Sequence, residues 1–66
     1  MQIVLNGEPR EVPDGLSVAA LLAELGVERR HVAVELNREL VPRTRHERQT
    51  LAEGDRLELV TLVGGG

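Results

Sequence analysis

Helical periodicity occurs once in this chain, and that limits what the chain can fold into. Val18, Leu21, Leu22 and Leu25 fall at i, i+3, i+4 and i+7, an apolar stripe along one face of a single amphipathic helix. Such a stripe has to be buried against another element. The remaining apolar residues come in short runs of strand character, so the expected partner is a sheet. Ser17 is a good N-cap for this helix, and Leu16 and Leu21 stand at the staple positions on either side of it. Gly26 is placed for a left-handed stop, with Val27 folding back towards Leu22.

Strands account for the rest of the apolar residues. Met1, Ile3 and Leu5 alternate with Gln2 and Asn6, although Val4 interrupts the polar side. Asn6-Gly7 supplies the positive φ of a tight hairpin turn. A second strand is expected around Arg10 to Val12, ended by Pro13-Asp14-Gly15. Beyond the helix, Val32 to Leu36 reads as a third strand, with Asn37-Arg38 as its turn into Leu40-Val41. Pro42 closes that short strand, as suits an edge. Arg43 to Gln49 is almost entirely polar, Leu51 is expected to anchor a short helical turn, and Glu53-Gly54-Asp55 turns the chain into a last strand, Arg56 to Val63. There Leu57 and Leu59 share one face, and Val60 and Leu62 share the other, part of which is expected to stay open for a partner.

The order is hairpin, helix, two strands, turn, last strand. Burying the helix stripe requires one mixed sheet of about five strands with the helix across it. If the first strand lies at the centre beside the last, those two run parallel. This is an α+β chain of β-grasp, ubiquitin-like architecture, divided into a domain over residues 1–63 and a flexible glycine tail over residues 64–66.

With 66 residues the chain sits near the lower size limit for independent folding, where about 60% of the unfolded surface is buried, so a deep catalytic cleft is not expected. Phe, Tyr and Trp are absent, which leaves a core of Leu, Val, Ile and Ala and disfavours base or sugar stacking. Cysteine is also absent. That removes disulfides, Cys-ligated zinc, iron–sulfur clusters and a Cys nucleophile together. No segment resembles a signal peptide, and no apolar run approaches the roughly 20 residues that span a bilayer, so a cytoplasmic protein without membrane contact is expected. The net charge of −3 argues against a nucleic-acid partner. All eight basic residues are Arg. Their exclusive use fits GC-rich composition bias, and it also leaves no side-chain amine to capture an activated acyl group.

Val63-Gly64-Gly65-Gly66 ends the sequence. Glycine has no Cβ, so a partner can close tightly around its backbone, and Gly64 and Gly65 are the candidate residues for threading into a narrow channel. The carboxylate of Gly66 is the candidate reacting group. A carboxylate is ionised at neutral pH and is a poor acyl donor. Condensation with ATP would give a mixed anhydride that a sulfur or nitrogen nucleophile can attack. On this reading the chain is a substrate and carrier, with no catalytic residues, no bound cofactor and no metal, and ATP belongs to the activating partner. A frayed terminus or a cloning remnant has the same look.

His31 and His46 lie fifteen positions apart with no cysteine or i+4 histidine beside them, and both are expected to be exposed loop residues. Arg43, Arg45 and Arg48 around His46 form a basic cluster, expected to be a solvated loop.

Met1-Gln2-Ile3-Val4-Leu5-Asn6-Gly7-Glu8, Ser17-Val18 with Leu21-Leu22 and Leu25-Gly26, Val32-Ala33-Val34-Glu35-Leu36-Asn37, Val41-Pro42-Arg43, and Gly54-Asp55 leading to Val63-Gly64-Gly65-Gly66 together resemble the ThiS family of sulfur carriers in thiamin biosynthesis. Order and spacing carry the resemblance across nearly the whole chain. Thr44 stands where the family commonly has Ser. The resemblance implies that an E1-like adenylyltransferase activates Gly66 with ATP. A sulfur donor such as a cysteine desulfurase or sulfurtransferase then supplies a persulfide, and the resulting thiocarboxylate serves thiazole synthase, with the free carrier a monomer. Three rival readings stay open: the molybdopterin synthase small subunit, a ubiquitin-related protein modifier, and a β-grasp interaction module with an inert tail.

Overall fold

A computed structural model describes residues 1–62; Val63, Gly64, Gly65 and Gly66 lie outside the described residues. Five strands and one α-helix follow in the expected order: β1 Gln2–Leu5, β2 Glu8–Glu11, α1 Val18–Leu25, β3 Val32–Leu36, β4 Glu39–Val41 and β5 Arg56–Thr61. They form one mixed sheet in the order β2-β1-β5-β3-β4. β1 and β5 are parallel neighbours, with Val4 opposite Arg56 and Leu5 opposite Leu57, and every other pairing is antiparallel. This is the β-grasp arrangement.

The inward faces of the strands meet the helix stripe. Ile3, Val34, Val41 and Leu57 from the sheet close on Val18, Leu21 and Leu22, with Val12, Val32 and Leu51 completing a buried cluster. Each such side chain contributes about 1.5–3 kcal/mol on burial, which is how a chain without aromatics holds together. The helix ends as its sequence dictates. Ser17 Oγ accepts from the Ala20 amide at 3.1 Å. Gly26 adopts φ 72°, and the amides of Gly26 and Val27 donate to Ala23 and Leu22 carbonyls at 3.1 and 3.0 Å, a Schellman closure.

The outer strand β2 resists further pairing. In β2, the Val12 amide donates to the Met1 carbonyl at 2.8 Å, so by the antiparallel alternation Pro9 sits where its nitrogen faces away from β1. A proline there removes a donor from the free edge. The amino group of Met1 ties the start of the hairpin to Val12 O at 2.7 Å, with Asp14 and Glu11 carboxylates at 3.0 and 3.1 Å. The hydrogen bonds to Asp14, then Glu11, raise its pKa above the ordinary value.

Local expectations are corrected at three places. The second strand begins at Glu8, immediately after the turn, and ends at Glu11, because the two-residue Asn6-Gly7 turn brings the chain back into register at once. The expected helical turn at Leu51 is absent. Helical turns of the 3-10 type occur instead at Arg29–His31 and Arg43–Arg45, and Leu51 is buried from an extended segment next to the Ser17–Thr50 bridge. His46 is the largest departure. It is 1% exposed, held because the Arg43–Arg45 turn rotates its ring inward, where Nε2 lies 3.1 Å from Val41 O.

Candidate functional site

β5 carries two opposite faces by strand alternation. Leu57 and Leu59 point towards the helix, fully and partly buried. Val60 and Leu62 point the other way and are 52% and 51% exposed. The outer face is therefore open as the sequence suggested, and it is wider than β5. Ala33 of β3 stands opposite Val60, and Leu40 of β4, 64% exposed, stands opposite Glu35. Leu40 is the residue that sequence reasoning missed. Its run is only three residues long, too short for an alternation to show which face it takes.

Glu35 and Glu58 lie directly opposite one another on this face, a like-charge pair that costs stability. Beside them a shallow hollow of about 380 Å3 is lined by Glu35, Asn37, Arg38, Arg56 and Glu58. The surface thus combines exposed aliphatic side chains with fixed charge. It has no deep pocket and no converging catalytic groups. Among the described residues no cluster of His, Cys, Asp and Glu is placed to hold a metal ion.

Side chains from the turns hold β5 in place. Asn6 Oδ1 accepts from the Leu59 amide at 2.8 Å, and Asn37 Oδ1 accepts from the Arg56 amide at 3.0 Å while its Nδ2 donates to Asp55 at 3.1 Å. The strand that leads into the glycines is thereby fixed from both neighbours. At its far end the Leu62 amide donates to His31 O at 2.8 Å. His31 is exposed and His46 buried, so the two histidines form no pair. The candidate residues Gly64, Gly65 and Gly66 lie outside the described residues.

The ThiS family model matches residues 3–66, including all three terminal glycines. The chain belongs to the ThiS family. Among its relatives, the sulfur carrier protein ThiS of Thermus thermophilus is 42% identical over 62 residues, covering 94% of this chain and 95% of that protein. A thiazole synthase of Paramagnetospirillum magneticum is 47% identical over all 66 residues, yet the chain spans only 20% of its length. The crystal structure of the thiamine biosynthesis protein ThiS from Geobacter metallireducens superposes with a TM-score of 0.87 at 36% identity, each chain covered in full. This ThiS chain therefore shares both the fold and the sequence pattern of its family.

Proposed function

We propose that the chain is a sulfur carrier of thiamin biosynthesis that works through its terminal glycine. The family match running through Gly66 carries this reading. The Gly66 carboxylate attacks the α-phosphorus of ATP in an E1-like adenylyltransferase, releasing pyrophosphate and leaving an acyl adenylate. The terminal sulfur of a persulfide on the donor protein displaces AMP to give an acyl disulfide. A second thiol then cleaves the S–S bond, leaving the thiocarboxylate on Gly66 and a disulfide on the donor side. All thiols come from partners, since the chain has no cysteine.

A thiocarboxylate suits the last step because its sulfur is soft and weakly solvated, so it attacks a carbon electrophile more readily than a carboxylate does. Thiazole synthase is the recipient in this reading. Support comes from the thiazole synthase of which one fifth matches this whole chain. Val60 and Leu62 dock the carrier on its partners, while Gly64 and Gly65 enter the partner's channel beyond the domain of residues 1–63. The carrier binds no cofactor, and the cytoplasm is its compartment. No described helix is long and apolar enough to cross a membrane.

Intact mass spectrometry tests the reading. The chain is incubated with ATP, the E1-like enzyme of the same cell and a persulfide donor. The expected result is a gain equal to replacing one oxygen by sulfur, located at Gly66. An unchanged mass with a demonstrably active enzyme would leave the interaction-module reading in its place, and isopeptide conjugates to lysines would make the chain a modifier.

A further inference from the structure

Charge is segregated in this molecule. Residues 28–31 and 43–48 hold five of the eight arginines and two of the eleven acids, a local excess of three positive charges in a chain of net charge −3. The fold brings these two segments together. A broad hollow of about 500 Å3 between them is lined by Glu28, Arg29, Arg30, Arg43 and Thr44, and Arg29 reaches across to Glu47 at 3.4 Å. The patch also adjoins the end of β5, because His31 O accepts the Leu62 amide at 2.8 Å.

These arginines do little for the fold. Arg30 pairs with Glu28 at 2.9 Å, with both side chains well exposed, a contact worth at most about 1 kcal/mol. Arg43, Arg45 and Arg48 have no ion pair among the described residues. Their charge is offset by no ion pair of their own among the described residues, and Arg29 and Arg30 are held only by exposed pairs that an outside carboxylate can replace, so the patch is available to an outside group. A compact anion such as a phosphate would need donors converging on one point, whereas these guanidinium groups are spread over two turns around a wide, shallow hollow. An extended surface of carboxylates fits them better.

We propose that Arg29, Arg30 and Arg43 form a basic collar at the root of the glycine tail that docks against acidic side chains bordering the tail channel of the activating enzyme. The collar rests on the carrier reading above and adds to the apolar face a polar contact that fixes which way round the carrier approaches. Opposite charges at the rim of an interface act mainly on encounter and orientation, and the effect is screened over a Debye length of about 8 Å at physiological salt.

The test is steady-state pyrophosphate release by the activating enzyme of the same organism, with the persulfide donor and a reducing thiol in excess to discharge the adenylate, and with the chain and ATP varied separately. In Arg30→Glu/Arg43→Glu, kcat/KM for the chain is expected to fall at least about tenfold at low ionic strength, through a higher KM for the chain and an unchanged KM for ATP. The gap from the unsubstituted chain should close as salt is added. Arg10→Glu, on the opposite edge of the sheet, makes the same type of charge change as a control and should stay within about twofold, the scale of an isolated surface charge. Circular dichroism checks that each variant is folded. Unchanged kinetics in the folded double variant overturn the collar alone, and a raised KM for ATP instead would assign these arginines to nucleotide phosphates and overturn it too. If the unsubstituted chain releases no pyrophosphate, the carrier reading fails and the collar fails with it.

Discussion

At the scale of single residues, His46 shows how a side chain in a polar run becomes part of a core. The sequence Arg45-His46-Glu47-Arg48 carries no periodicity that would mark one member as buried. Only the 3-10 turn before it aims the ring inward. Val41 O can only accept, so Nε2 carries the proton of that hydrogen bond, and Nδ1 is buried without a partner among the described residues. His46→Ala is expected to destabilise the chain by about 2–4 kcal/mol, through the cavity and the lost hydrogen bond, as read by urea unfolding. Arg38 gives the opposite case. It holds φ 72° in the β3–β4 turn, where a Cβ is strained and glycine is not. Arg38→Gly should therefore raise stability by up to about 1 kcal/mol, after allowing for the entropy glycine adds to the unfolded chain. Failure to gain would mean that this side chain supports the turn.

At the scale of elements, β5 is held in the sheet by side chains from the turns on both sides of it. Its ladder with β1 covers only two residue pairs, and the Asn6 side chain extends that connection by accepting from Leu59. Asn6→Gly keeps the positive φ that the turn needs while removing this bond, at an expected loss of about 1 kcal/mol measured by thermal unfolding. The helix, its caps and the two hairpin turns were legible in the sequence because each depends on residues within a few positions of one another. The asparagines' second use was not, since Asn6 and Leu59 are far apart in sequence and meet only in the sheet. On the outer face, Val60→Asp and Leu62→Asp should leave the melting temperature nearly unchanged while weakening binding to the activating enzyme by about tenfold or more, as expected for an anchor in an interface. Unfolding of both variants would instead place these residues in the core, contrary to their exposure of 52% and 51%.

At the scale of the whole molecule, the described residues close their own core, and Leu62 is half exposed at the end of that body. Deleting residues 64–66 is expected to leave the unfolding midpoint unchanged and to abolish adenylation. One residue added after Gly66 should have the same pair of effects; a fully active extended chain would sink the acyl mechanism. The sequence by itself determined the helix with both its ends, the order of the elements along the chain, and the division of β5 into an inner and an outer face. All of these follow from period, turn residues and composition, which are properties of neighbouring residues. Only the tertiary structure decided that His46 is buried, that Leu40 joins Val60 and Leu62 on one open face, and that the arginines of two separate turns gather beside the root of the tail. Those placements depend on which segments the fold brings together: the β3–β4 register sets the face of Leu40, the Arg43–Arg45 turn aims His46 at Val41, and the seat of β5 beside β3 brings its end to His31.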